Sequence, residues 1–230
     1  MSVKVDIKQL LEAGVHFGHK TSRWHPKMAP YIHSKRQYSH IIDLTKTVEG
    51  LEKALPAITK AVESGRKVLF VGTKKQVKEA VREAAESVKQ PYVVERWVGG
   101  MLTNSATVNQ QIKKLKTLEK RMESGELSKR YSKLEVQRYA EEIEALNTKY
   151  GGIKDLMGRP GILFVTDAIA DANAIREAKT LNIPVVAIVD TNVNPDGIDY
   201  VIPANDDAIK GVKLLLDYAI EAIKEAKTDK

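Results

Sequence analysis

"KVLFVGTKKQVKEAVREAAESVKQPYVV", residues 67–94, sets the architecture of the whole chain. Val68 to Val71 run without a polar interruption, which describes a strand covered on both faces rather than one half in water. After Gly72, the residues Val77, Ala80, Val81, Ala84 and Val88 fall on one face of a helix. "YVVERWV" (92–98) then begins a further strand. A buried strand, a helix and another strand in succession form a crossover unit of a parallel sheet.

The same rhythm extends outward in both directions. Upstream, "HIIDL" (40–44) is a short β-branched run, and "TKTVEGLEKALPAITKAVES" (45–64) is a helical pattern with Thr45 or Thr47 as its cap. Downstream, "GILFVTD" (161–167) and "PVVAIVDTN" (184–192) are two more buried strands, separated by the helix "IADANAIREAKTLN" (169–182). After "DYVIP" comes a long C-terminal helix from Asn205, whose Asp206 and Asp207 suit the positive end of a helix dipole. The expected fold class is α/β, a doubly wound parallel sheet with helices on both faces.

One segment breaks the rhythm. Between "WVGG" (97–100) and "YGGIKD" (150–155) there is no strand signal. Val108, Ile112, Leu115, Leu118 and Met122 recur at steps of four, three, three and four, and Val136, Tyr139, Ile143, Leu146 and Tyr150 at three, four, three and four. That spacing is a coiled-coil seam in two arms, and Ser132 with Glu135 forms a capping box opening the second arm. The expectation is an inserted antiparallel coiled-coil helical hairpin over 104–150. Its outer face carries Lys113, Lys114, Lys116, Lys120 and Arg121, and its hinges are Gly99–Gly100 and Gly151–Gly152. Two more helices packed on the sheet are the alternative. The α/β domain then spans 41–103 and 151–230, preceded by an N-terminal basic and aromatic extension, 1–40, with a short helix.

That extension holds "GVHFGHKTSRWHPKMAPYIHSKRQYSH" (14–40), where all five histidines lie among cations and aromatic rings. Residues 161–230 carry seven Lys or Arg against twelve Asp or Glu, a balance of −5, so with a net charge of +7 the first 160 residues carry +12. A basic front on an acidic back points to an oriented polyanion partner, bound with counterion release. Cations interleaved with rings suit RNA, because cations meet phosphates and rings stack on bases. From the residues themselves, Lys20, Lys35, Arg36, Lys74, Lys75, Lys113 and Lys114 are candidate RNA contacts.

Other chemistries fare less well. The chain has no cysteine, which excludes thiolate metal sites and cysteine nucleophiles and fits a reducing cytosol. Its apolar runs fall far short of the roughly 20 residues a membrane helix needs, so no membrane is expected. The loop "VGTKKQ" (71–76) sits where doubly wound folds bind phosphate, yet it lacks the glycines of a nucleotide cradle. A nucleotide-binding enzyme therefore stands as the alternative reading. Asp190, Asp206 and Asp207, with Asp167, fall at or just past strand ends and offer oxygen ligands for a divalent metal, magnesium or zinc. As the plainer reading, Asp206 and Asp207 are helix N-terminal residues. No catalytic centre is visible.

Taken together, "AGVHFGHKT", "WHPKMAPYI", "HIIDLTKT", "LFVGTKKQ", "RWVGGMLTN", "GGIKD" and "IPVVAIVDTNVNPDGIDYVIPANDDAI" resemble, in order and spacing, the bacterial form of small-subunit ribosomal protein two, the S-two family. The resemblance implies a flavodoxin-like α/β domain with the coiled-coil hairpin inserted. It implies a structural, non-enzymatic role in the cytoplasmic ribosome, with no small-molecule substrate. The site is between head and body of the small subunit, on its ribosomal RNA, beside other small-subunit proteins including protein one. By matching position it adds His16, His19, Arg23, Trp24, Lys27, Arg96, Trp97 and Asn104 to the RNA contacts, with the two tryptophans equally suited to anchoring the core. Three departures stand out: His25 replaces the family's usual asparagine, "TNSATV" lacks a tryptophan after Asn104, and Gly161 replaces an acidic residue after Pro160.

Overall fold

The computed structural model describes residues 5–228. Five strands form a parallel sheet: β4 (Val68–Val71), β5 (Tyr92–Val93), β6 (Ile162–Val165), β7 (Val185–Val189) and β8 (Tyr200–Pro203), in the spatial order β5-β4-β6-β7-β8. Strand alternation sends Val68, Phe70, Ile162, Phe164, Val186 and Ile188 into one core. There they meet α2 (Leu44–Glu63), α3 (Lys78–Ser87) and α8 (Ile209–Thr228). Leu69, Val71, Leu163, Val165, Val185 and Val189 enter the opposite core, against α7 (Ala172–Thr180), Met28 and Trp97. Covering on both faces is the reason these runs carry no polar residue.

Before this sheet, α1 (Ile7–Glu12) is capped by Asp6, whose carboxylate accepts from Lys8 N. It precedes a small antiparallel sheet of β1 (Phe17–Lys20), β2 (Ile32–Arg36) and β3 (Ser39–Ile42), in the order β1-β3-β2. "HIIDL" thus belongs to a second sheet, not to the parallel one, and that sheet ends at Ile42, past the expected boundary at 40. The burial of β3 explains the difference: His40 and Ile42 are buried while Ser39 and Ile41 are half-exposed, an alternation that suits a one-sided sheet. The β2–β3 turn places Gln37 at φ +46° and Tyr38 at φ +64°. Two consecutive left-handed residues make the tight hairpin turn that Asn-Gly fills freely. Side chains with a Cβ hold it at about 1–2 kcal/mol each.

Other boundaries shift for local reasons. Asp43, not Thr45 or Thr47, caps α2: its carboxylate accepts from Thr45 N at 2.9 Å and Thr45 Oγ1 at 2.7 Å. Thr47 is buried and donates to the Pro203 carbonyl at 2.6 Å. The last helix begins at Ile209 because Asp206 turns inward. Between the sheet halves, α4 (Ser105–Glu123), α5 (Glu126–Arg130) and α6 (Lys133–Tyr150) follow one another, with the Ser132–Glu135 capping box formed. Val108, Ile112 and Tyr150 belong to the core of the domain, whereas Leu115, Leu118 and Leu127 are buried apart from either sheet face. Gly152 is no hinge: a Cβ there would lie 2.2 Å from the Tyr92 carbonyl, so the glycine lets the end of α6 seat against β5.

Candidate nucleic-acid interface

The small sheet is fastened across the C-terminal end of β7. His19 N–H donates to Thr191 Oγ1 at 2.9 Å and to Asp190 Oδ1 at 3.2 Å, and His25 N–H donates to the Thr191 carbonyl at 2.8 Å. Asn205 N–H donates to the Val15 carbonyl at 2.9 Å. His19 Nδ1 lies 2.9 Å from Asp190 Oδ2 and Nε2 lies 3.6 Å from Asp207 Oδ2. The Asp190 contact raises the His19 pKa, against the opposing effect of burial. His25 caps a short 3₁₀ turn, its Nδ1 accepting from Lys27 N at 3.2 Å.

At this end of the sheet the β4 and β6 loops diverge, which in doubly wound folds is the ligand crevice. Here the crevice is filled by the protein's own side chains. Lys74 Nζ lies 2.7 Å from Asp207, 2.9 Å from Asp206 and 3.3 Å from Asp167. Burial works against the Lys74 charge, but the Asp207 and Asp206 carboxylates outweigh it and raise its pKa. Beside it Thr73 donates through N and Oγ1 to Asp171, whose pKa burial pushes up to about 6 despite those bonds. Burial, helped by the Asp167 charge, likewise raises Asp206 to about 6. A Cβ at Gly72 would meet Thr166 Oγ1 at 2.6 Å and Val81 Cγ2 at 2.7 Å, so this glycine serves close packing of strand on helix. Carboxylates line the place where a nucleotide phosphate would sit, and they repel it.

For a metal, one ligand atom each from His19, Asp206 and Asp207 lies within 4.8 Å of the others. Asp190, expected among the ligands, stands outside that trio and faces His19 Nδ1 and Thr191 instead. Lys74 occupies the same oxygens with its ammonium group.

The expected RNA contacts divide into two groups. Lys20, Arg23, Trp24, Lys35 and Arg36 are exposed on the small sheet and its flanking turn, and Lys75, Arg96, Asn104 and Lys113 are exposed elsewhere. The others are engaged within the molecule. Lys27 pairs with Asp196, Lys114 with Glu142 across the helical arms, and Lys74 with its aspartates. His16 is half-buried against the Phe17 ring, at 4.0 Å between centroids. Trp97 is buried, and its indole N–H donates to Glu177 Oε1 at 3.0 Å, so it is a core anchor. Glu177 also accepts from the backbone of Gly100 at 2.8 Å, Leu102 at 2.9 Å and Thr103 at 3.1 Å. Burial works against its charge, but the Trp97 and backbone donors prevail and lower its pKa. Sequence reasoning missed this carboxylate. Its signal was faint: it borders the buried Ala174 and Ala178 face of α7.

The chain matches the family model described as Ribosomal protein S2 over residues 10–226. It is 50% identical over 223 residues to the small ribosomal subunit protein uS2 of Coprothermobacter proteolyticus, covering 97% of this chain and 83% of that one. The uS2 proteins of Tolumonas auensis and Idiomarina loihiensis are each 50% identical over 224 residues, covering 97% of this chain and 92% of theirs. On that match the chain belongs to the ribosomal protein S2 family.

Proposed function

We propose that the small sheet and its flanking turn form the RNA face of a structural protein of the small ribosomal subunit, in the ribosome of the cytoplasm. The family is structural rather than enzymatic, and the chain is not an enzyme. One observation carries the RNA reading: Lys20, Arg23, Lys35 and Arg36 are exposed, and none has a carboxylate within 4 Å among the described residues. Cations left without internal partners are available to phosphates.

Finer readings rest on the same geometry. The strand order, 2-1-3-4-5 in order of appearance in the parallel sheet, supports a flavodoxin-like fold. A coiled-coil hairpin is supported by the seam: Val136, Tyr139, Ile143 and Leu146 are the half-covered apolar positions of α6, opposite buried Ile112, Leu115 and Leu118. Contact with neighbouring proteins, protein one among them, between head and body, is supported by Ile7 and Leu11, exposed one turn apart on α1. A divalent cation, zinc or magnesium, would take His19, Asp206 and Asp207 in place of the Lys74 charge. A melting point raised by zinc in the wild type but not in Asp206→Asn supports that site, and no rise removes it.

Sedimentation of tagged protein from lysate on sucrose gradients tests the main reading. Co-migration with the small subunit, weakening as salt rises, is the expected result. Protein remaining at the top at low salt overturns it.

A further inference from the structure

Building on the RNA reading of the small sheet, we infer that Tyr38 is a stacking platform for an unpaired RNA base, presented by the strained β2–β3 turn. The Tyr38 side chain is 80% exposed, the most exposed aromatic ring among the described residues. It stands at the tip of a two-residue turn where both Gln37 and Tyr38 adopt positive φ. A sequence serving the turn alone would place Asn-Gly there. Backbone held in a disfavoured region marks positions where the presented side chain has a use. The tip is held: Thr21 N–H donates to the Tyr38 carbonyl at 2.8 Å, and Arg36 pairs with Ser39 across the turn.

The surroundings indicate which partner fits. Lys35 and Arg36 immediately precede the tip, and Lys20 pairs with Ser39 in β1–β3 register. Arg23 N–H bonds the Lys20 carbonyl, so its backbone is tied to the same corner. The positions that flank this turn in sequence and register, Lys35, Arg36 and Lys20, are cationic rather than apolar, whereas the buried centre of a protein–protein patch is depleted of lysine. An unpaired nucleotide supplies the complement, a flat π-face flanked by phosphates, while a base inside a duplex exposes no such face. Trp24, in the turn that follows β1, gives a second, partly exposed ring. Its centroid lies 5.1 Å from that of His40, whose two ring nitrogens are buried without a hydrogen-bond partner.

The test uses the full chain and protein-free small-subunit ribosomal RNA, with Kd measured across a salt series. Tyr38→Ala is expected to weaken binding about tenfold with an unchanged salt slope, because the ring releases no counterions. Tyr38→Phe is expected to bind as the wild type does. Unchanged affinity in Tyr38→Ala, while the wild type binds in a salt-dependent way, overturns the stacking role and leaves the RNA reading standing. A defect seen only in assembled subunits, with affinity for bare RNA intact, overturns it in favour of a protein partner. Wild type that shows no salt-dependent affinity removes the RNA reading itself. Replacing the turn by Asn-Gly, Gln37→Asn with Tyr38→Gly, is expected to raise Tm while lowering RNA affinity. A fall in Tm would refute the strain.

Discussion

Two groups of cations, one in the small sheet and one just past β4 of the parallel sheet, have opposite fates. Lys74 is half-buried and has three aspartates around it. Lys35 and Arg36 are exposed and have no carboxylate partner among the described residues. In sequence both are basic pairs beside a strand. What separates them is whether the rest of the chain supplies the countercharge. Removing the first should therefore be felt by folding, and removing the second by binding.

The largest effect is expected from Lys74→Met. It leaves Asp206 and Asp167 as buried carboxylates with no cation, at a cost of about 3 kcal/mol, read from urea denaturation of the purified protein. A loss below the error of the fit would show that Lys74 belongs with the solvent-facing group. Next comes Glu177→Ala, which strands the Trp97 indole N–H and several backbone donors. About 2 kcal/mol is expected to go, with Trp97 fluorescence shifting as the 97–104 loop loosens. Lys35→Ala with Arg36→Ala is the mirror image. Stability is expected to hold within about 0.5 kcal/mol, while the salt slope for RNA falls by about one for each residue that contacts a phosphate. A changed Tm with an unchanged slope would invert the comparison.

A fourth effect concerns pH. Asp171 has its pKa raised to about 6, above the ordinary carboxylate value of 3.8, so between these limits the folded state holds a proton that the unfolded chain has lost. Its contribution to stability therefore falls as pH rises through that window. Asp171→Asn is expected to remove this slope, seen as a difference in Tm from wild type that narrows between pH 4 and 6. A constant difference would place the Asp171 pKa in the ordinary range.

Much of the fold was legible because its signals are local. "VLFV", "ILFV" and "VVAIV" could only be doubly covered strands, and the three-four spacing from Val108 to Tyr150 marked the helical arms. "HIIDL" was assigned to the wrong sheet because a run this short shows its alternation only once the second face is seen to be open. The site was less legible. The exposure of Lys20, Arg23, Lys35 and Arg36 followed from their setting, but Lys74 was read as a phosphate contact and Trp97 was left open between RNA and core, because their partners lie far along the chain. Asp206 is 132 residues from Lys74 and Glu177 is 80 residues from Trp97. Nothing in the composition of either neighbourhood announces those meetings.

The fastening of His19 to Asp190 and Thr191 also orders events in time. A chain leaves its synthesising ribosome N-terminus first, yet the residues that seat β1 follow it by 171 positions. The small sheet is thus made first and assembled late, when β7 has joined the parallel sheet. Nascent chains ending before residue 190 should leave the 14–42 segment open to protease, and chains extended past residue 205 should protect it. The basic strip gains its shape only once the body that carries it is nearly complete.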